Sequence, residues 1–272
     1  MINFRSYQDM HTSITRILDK IRKLDVDIVI GIPRSGIVPA ATIALSLQKP
    51  YGDLTSLLSG FVADTSGKRI PISNKTILLV DDTVNTGSAI TDAIKQIRSA
   101  GINNKILTFA VWHSDKTDLG AINLTAGFCP RPRVFAWNLW KHHKLGRFGF
   151  DMDGVLCRDP TKKENDKGEK LLHFYKTAEV KFLPKKSIGY IITSRLEKYR
   201  DVTEDWLYRN NIQYSNLIMK DSEETHATYK SNIINKIDIL LYVESDAKQA
   251  KQISSKSNVP IWCIDNQTLY TK

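Results

Sequence analysis

The run from Ile77 to Ala89 constrains this chain more than any other: Ile-Leu-Leu-Val-Asp-Asp-Thr-Val-Asn-Thr-Gly-Ser-Ala. Four apolar residues suit a buried strand, two adjacent carboxylates close it, and a small polar loop follows. Ala89, Ile90, Ala93, Ile94 and Ile97 then recur at helical spacing, with Gly101 as a stop. A strand–loop–helix junction of this kind aims backbone N–H groups and the positive end of a helix dipole at one point, which favours phosphate. Thr83, Thr86 and Ser88 add hydroxyl donors, and Gly87 lets the backbone approach closely. Asp81 and Asp82 beside that pocket suit the vicinal hydroxyls of a sugar, because carboxylates accept hydrogen bonds. The set describes a sugar-phosphate site, with ribose 5-phosphate as the first candidate.

A second strand–turn–helix unit precedes it. Ile28-Val29-Ile30-Gly31-Ile32-Pro33-Arg34-Ser35-Gly36 runs from a strand into a tight turn, and the small-residue helix Ile37 to Leu47 follows. Together the two units resemble the type I phosphoribosyltransferases over roughly residues 5 to 140. The resemblance implies phosphoribosyl pyrophosphate (PRPP) as substrate, Mg²⁺ as cofactor, and often a homodimer. It places the pyrophosphate on the turn Arg34, Ser35 and Gly36, where the guanidinium matches phosphate oxygens. Asp81 and Asp82 would hold the ribose hydroxyls, and Thr83, Asn85, Thr86, Gly87 and Ser88 the 5-phosphate. Residues 55 to 75 would carry a mobile loop that closes over PRPP and brings Lys68 and Arg69 to the leaving group; an exposed hairpin with solvated charges is the other reading. Purine enzymes of this family place an Asp before Thr-Gly, and this chain has Asn85, which cannot act as a base. That counts against hypoxanthine and guanine, and no signature for orotate stands out. Trp137 and Trp140 in the apolar run Val134 to Trp140 could stack on a base or a sugar, but three apart on a strand they would face opposite sides, so that at least one of them is core.

Another short strand ends in acids at Phe148-Gly149-Phe150-Asp151-Met152-Asp153-Gly154-Val155-Leu156. Carboxylates two apart on an extended backbone point the same way. One can attack phosphorus while the other handles a proton, with a hard cation between them. This run resembles the first motif of the haloacid dehalogenase-like (HAD) phosphatases, and residues 147 to 272 follow that pattern. The resemblance makes Asp151 the nucleophile and Asp153 the general acid/base. Thr193, in Tyr190-Ile191-Ile192-Thr193-Ser194-Arg195, would hold the phosphoryl group, with Ser194 as the rival. Lys230 would balance charge, with Lys220 as the rival. Asp151, Asp153, Glu244 and Asp246 would complete a second Mg²⁺ site, although Glu244 stands where Asp is more usual. The short interval between Asp151 and Thr193 leaves room for a minimal cap.

The chain has 272 residues, enough for two domains of ordinary size. Strands expected near 27–32, 76–81, 105–112, 133–140, 147–151, 188–193, 238–243 and 260–264 alternate with helices. These include an amphipathic first helix on Ile14, Ile17, Leu18, Ile21 and Leu24, and one opened by Asp201 before Val202-Thr203-Glu204. The expected fold class is α/β: two doubly wound parallel-sheet domains, phosphoribosyltransferase-like over 1–144 and a HAD-like Rossmannoid domain over 145–272. Each acidic pair falls at a strand's C-terminal end, where such sheets bind ligands. The basic stretch Lys141 to Arg147 reads as a solvated linker. Adjacent histidines there, His142 and His143, would point apart on an extended chain. Cys129, Cys157 and Cys263 form no Cys-x-x-Cys pair, which fits a reducing cytosol. No apolar stretch nears the ~18 residues of a membrane span, and the start is unlike a signal peptide. A cytoplasmic protein with at most peripheral membrane contact is expected.

Fusion of the two activities suggests the acceptor. A transferase that leaves a 5-phosphate, followed by a phosphatase that removes it, would deliver a bare ribofuranosyl group. A glycan or glycolipid hydroxyl is therefore the expected acceptor, as in polysaccharide synthesis. A nucleobase acceptor with a nucleotidase domain is the second reading. A PRPP-sensing regulator that binds nucleic acid is the third. The net charge of +10 is compatible with it, but the lysines are dispersed and no nucleic-acid motif appears, so nucleic acid is disfavoured as a partner.

Overall fold

The computed structural model describes residues 2–272. Two compact units divide the chain: Tyr7–Arg133, and Val134–Lys272 together with the N-terminal residues through Ser6. The expected boundary at 144/145 therefore lies inside the second unit. Val134, Leu139 and Leu145 are buried in one core cluster with Phe148 and Phe150, and Ile2 and Phe4 join them. Apolar side chains, not the basic composition of residues 141–147, decide which unit owns this stretch.

After β1 (Asn3–Arg5), the first unit begins with α1 (Tyr7–Arg22), which buries Met10, Ile14, Ile17 and Ile21 on one face. It continues through β2 (Ile28–Gly31), α2 (Ile37–Leu47), β3 (Tyr51–Asp53), α3 (Leu54–Leu58), β4 (Phe61–Ala63) and β5 (Arg69–Pro71). β6 (Ile77–Val84), α4 (Ser88–Ser99), β7 (Ile106–His113) and β8 (Leu124–Phe128) complete it. The sheet order is β5-β4-β3-β2-β6-β7-β8. From β3 to β8 neighbouring strands are parallel, and the β4–β5 hairpin closes one edge antiparallel. Ile28, Ile30, Ile77, Leu79 and Ala110 share one apolar core, as period-two alternation across adjacent strands requires. The interval 55–75 is thus a short helix and a hairpin. Asp64 organises the hairpin turn by accepting hydrogen bonds from the backbone N–H groups of Ser66 and Lys68, both at 2.8 Å.

The second unit contains β9 (Arg133–Phe135), β10 (Phe148–Phe150), α5 (Glu169–Thr177), β11 (Ile188–Leu196), α6 (Arg200–Arg209) and β12 (Tyr214–Lys220). Then come α7 (His226–Ile234), β13 (Leu241–Glu244), α8 (Ala247–Lys256), β14 (Ile261–Cys263) and β15 (Thr268–Tyr270). Its main sheet runs β12-β11-β10-β13-β14-β15, parallel except for β15. Leu241 and Val243 enter one core cluster and Tyr242 the other, so both faces are covered. Among the described residues no helix is long and apolar enough to cross a membrane.

Three local expectations change. The strand expected at 133–140 stops at Phe135, and Ala136–Lys141 is a 3₁₀ helix. A short apolar run does not by itself distinguish the two. Trp140 stacks on Phe182 at 4.8 Å and is part of the packing around the second unit's core, while Trp137 lies against Phe135 at 5.2 Å. His142 and His143 do not diverge, since their rings lie 4.4 Å apart where the chain leaves that helix. Asp201 sits within the first turn of α6 and does not cap it; Tyr199 holds the cap position without a side-chain bond.

Trp206 on α6 is buried, and its indole N–H donates to the carbonyl of Ala178 at 2.8 Å. Trp206→Ala would leave a cavity and an unpaired carbonyl, at a cost of roughly 3–5 kcal/mol. Urea unfolding followed by circular dichroism should show the loss; an unchanged midpoint would mean that the indole is not part of the core.

Candidate functional sites

In the first unit, β2 and β6 are adjacent and parallel, with Ile28 opposite Ile77 and Gly31 opposite Val80. The pairing continues past the strand, where the Ile32 N–H donates to the carbonyl of Val80 at 2.8 Å. Both turns singled out in the sequence therefore open side by side at the C-terminal end of the sheet. Each leads into a helix whose N-cap is glycine and makes no side-chain cap bond, Gly36 for α2 and Gly87 for α4. Some of the first N–H groups have local partners, Val38 donating to the Ser35 carbonyl at 3.3 Å and Ser88 to Thr86 Oγ1 at 3.4 Å, and both helix starts still point their dipoles at the turns. Gly36 is required by space: a Cβ there would lie 2.6 Å from the carbonyl oxygens of Ile32 and Val80. Gly87 is required by conformation, with φ +99°.

The strand is longer than expected. β6 extends through Val84, so Thr83 belongs to the strand and the loop proper is Asn85, Thr86 and Gly87. Asp81 and Asp82 are both buried. Asp81 accepts the Asp82 N–H at 2.8 Å. Burial, reinforced by the charge of Asp82, pushes the Asp81 carboxyl up to about 8. The Thr83 hydroxyl is buried without a hydrogen-bond partner. Arg34, Thr86 and Ser88 are exposed and Ser35 is half-buried. The pair Lys68 and Arg69 is exposed on the hairpin, with the Arg69 guanidinium 4.2 Å over the Phe61 ring. β5 stands four places from β6, roughly 19 Å by strand spacing. Lys68 and Arg69 are not brought together with the acidic pair.

Three loop-shaping residues had no signature. Ser114 donates through Oγ to the backbone carbonyl of Asn85 at 3.0 Å and to its Oδ1 at 3.2 Å. Thr117 Oγ1 donates to the carbonyls of Val84 and Asn85 at 3.0 and 2.9 Å. Arg133 reaches the Val84 carbonyl at 3.3 Å and lies within electrostatic range of Asp82. Only the adjacency of β7 to β6 marks Ser114 and Thr117 in advance.

In the second unit, Asp151 follows β10, Glu244 ends β13, and Thr193 lies in the C-terminal half of β11, on adjacent strands. The Asp151 N–H continues the ladder by donating to Val243 at 2.9 Å. Of the two lysines in question, Lys230 meets the nucleophile candidate. Its Nζ lies 2.5 Å from Asp151 Oδ2 and 2.7 Å from Glu244 Oε2. Burial opposes charge on Lys230, yet the two carboxylates outweigh it and raise its pKa. Burial raises the Asp151 carboxyl; Lys230 works against that and Glu244 with it. Thr193 is buried, and its Oγ1 accepts the Arg195 N–H at 3.2 Å. The Ser194 hydroxyl is buried without a partner.

Asp153 is held by a residue that the motif reading left out. Arg195, fully buried, donates from Nη2 at 2.7 Å and from Nε at 3.1 and 3.2 Å. Tyr175 packs under the guanidinium at 4.1 Å. The residues expected to hold a second Mg²⁺ make the following contacts. Glu244 spends Oε1 on the N–H groups of Ser245 and Asp246 and Oε2 on Lys230, while Asp246 caps α8 through Gln249. Among the described residues no three acidic, His or Cys side chains are grouped to hold a metal ion. Asp151, Thr193, Lys220 and Lys230 line one cavity of about 640 Å³.

Residues 5–138 match the model of the phosphoribosyl transferase domain, and this part of the chain is a type I phosphoribosyltransferase domain. Orotate phosphoribosyltransferase of Staphylothermus marinus is 35% identical over 106 residues, covering 35% of this chain and 47% of that protein. The enzyme of the same name from Sulfurisphaera tokodaii is 33% identical over 95 residues, covering 35% and 48%. The chain thus spans about half the length of the curated relatives it matches. A purine phosphoribosyltransferase structure from Pyrococcus horikoshii aligns with TM-score 0.36 at 18% identity, covering 49% of this chain and 92% of that one. Relatives named for orotate, a nucleobase, overturn the expectation that the ribose goes to a glycan hydroxyl.

Asp81 should make the first unit sensitive to pH. Its carboxyl keeps a proton up to about 8 in the folded chain, against an ordinary value of 3.8. Between those limits the folded state binds more protons than the unfolded state, so stability falls as pH rises through about 4 to 8 and then levels off. Asp81→Asn should flatten this slope in urea titrations across that range. An equal slope in both proteins would place the carboxyl outside the buried site.

Proposed function

We propose that the first unit transfers the 5-phosphoribosyl group of PRPP to a nucleobase, with orotate the first acceptor to test. The second unit is, in this reading, a HAD-like phosphomonoesterase that removes the 5-phosphate from the nucleotide formed. One observation carries the transferase half: two glycine-led helix N-termini beside a buried acidic pair, on adjacent parallel strands. Named relatives support a base as acceptor. Asn85, whose carbonyl and Oδ1 are tied to Ser114, offers no proton acceptor of the purine type, which puts a pyrimidine ahead of hypoxanthine or guanine.

The α4 N-terminus and Gly87 hold the 5-phosphate, and Asp81 and Asp82 hold the ribose hydroxyls. The turn at Arg34, Ser35 and Gly36 receives the pyrophosphate. The bond from C1 to pyrophosphate breaks with its electron pair leaving on oxygen, a ring nitrogen of the base attacks C1, and its proton passes to the departing pyrophosphate or to water. Closure of the β4–β5 hairpin would carry Lys68 and Arg69 toward the leaving group and keep water out. In the second unit a carboxylate oxygen of Asp151 attacks phosphorus, the ribose 5-oxygen leaves with a proton from Asp153, and water, giving its proton back to Asp153, then hydrolyses the aspartyl phosphate. Lys230 offsets the negative charge around Asp151 throughout. Loss of the 5-phosphate would make the transfer effectively irreversible.

Incubation with Mg²⁺ and PRPP plus orotate, uracil, hypoxanthine or guanine tests both halves. Pyrophosphate is expected with a pyrimidine, and free phosphate should follow in the wild type. Asp151→Asn should still release pyrophosphate, accumulate nucleotide, and release no phosphate. Absence of pyrophosphate with every base, together with salt-dependent RNA binding, would favour a regulator instead. Gly36→Ala should displace the turn from Val80 and weaken PRPP binding by roughly a hundredfold, read by calorimetry. Unchanged affinity would remove the turn from the site.

A further inference from the structure

The second unit's cavity is divided by charge along the strand order. Glu244, Asp246 and Asp265 line it beyond β13 and β14, on one side of Asp151. Ser194, Lys198 and Lys220 line it at the C-terminal ends of β11 and β12, on the other. Within the basic half, two groups are left without partners. Lys220, at the end of the edge strand β12, is only 8% exposed. Its ammonium makes no hydrogen bond or ion pair with any described residue, unlike that of Lys230 with its two carboxylates. The hydroxyl of Ser194, on the neighbouring strand, is buried and equally unpartnered. Leaving a buried hydroxyl unpaired is costly, and Lys220 and Ser194 both line a cavity that a ligand can enter.

Lys220 does not duplicate Lys230. β12 lies two places from β10, roughly 10 Å by strand spacing, so its ammonium serves what lies beyond the phosphoryl group on Asp151. His226 lines the same side, and burial together with the charges of Lys220 and Lys230 holds its imidazole below its ordinary pKa. A negative group entering there would meet one compact cation, one hydroxyl donor and an imidazole, with no carboxylate bonded to any of the three.

We propose that Lys220 and Ser194 form a second anion subsite, which takes a further negative group on the leaving side of the phosphomonoester. The preferred substrate then carries two anionic groups, a phosphate to be removed and a second phosphate or carboxylate across the cavity. This rests on the phosphomonoesterase reading for the identity of the first group, but its test does not require turnover.

Calorimetric titration of the full chain carrying Asp151→Asn, in which turnover is blocked, reads the subsite directly. Adenosine 5′-monophosphate is compared with adenosine 3′,5′-bisphosphate, and uridine 5′-monophosphate with orotidine 5′-monophosphate. At least one doubly anionic member should bind roughly tenfold tighter than its partner, as a charge-assisted hydrogen bond allows. The bisphosphate pair reports a phosphate as the second group, and the orotidine pair a carboxylate. That ratio should fall toward one in Lys220→Met, shrink in Ser194→Ala, and persist in Lys220→Arg. Ratios near one in both pairs, a ratio that survives Lys220→Met, or no binding of any probe would overturn the subsite. Phosphate release by the wild-type chain is scored separately: its absence would defeat the phosphomonoesterase reading while leaving a Lys220-dependent ratio in place.

Discussion

Parallel pairing of β2 with β6 is the constraint on which the first unit's site depends. The ladder from Ile28–Ile77 to Gly31–Val80, extended by the bond from Ile32 to Val80, sets two turns at one level. Gly36 then packs onto the Val80 carbonyl, immediately before the acidic pair on the same strand. A shift by one residue would invert the faces of the strand and separate the turn at Arg34 from Asp81. The site thus comes from sheet geometry before any side chain acts.

Charge compensation organises the second unit. Asp151, Asp153 and Glu244 are carboxylates withdrawn from bulk water, and two buried cations answer them. Lys230 bridges Asp151 and Glu244, while Arg195 clamps Asp153 in a multidentate contact. Removing either cation would strand a carboxylate in a poorly solvated place, which costs more than an intact pair contributes. The length of Glu244 makes sense in these terms. Its side chain turns back to two backbone N–H groups and to Lys230, and so acts as a support for the lysine.

Much of the site was legible because strand–turn–helix junctions carry their chemistry within a few consecutive residues. Asp81, Asp82, Gly87 and Asp151 could be singled out from alternation, helical spacing and acidic strand ends alone. Arg195 was quoted within its motif but given no role, since its partner Asp153 lies beyond the end of a different strand. Ser114, Thr117 and Arg133 were invisible for a similar reason, as they act on the loop through backbone carbonyls that any residue possesses. β12 escaped notice because Tyr-Ser-Asn-Leu-Ile-Met-Lys mixes polar and apolar residues, as an edge strand can. The glycan acceptor was inferred from the logic of fusing two activities, with no residue behind it, and relatives named for a nucleobase displaced it.

Local sequence by itself determined the α/β character of both halves, the strand ends that bear acids, and the glycines at the two helix starts. These follow from periodicity and backbone conformation, which act over a handful of neighbours. Only the tertiary structure decided the strand order, the boundary before Val134, the choice of Lys230 over Lys220 for Asp151, and the solitary burial of Lys220. Each depends on which distant segments share a core or a cavity, and apolar packing and electrostatics across space settle that without regard to separation along the chain.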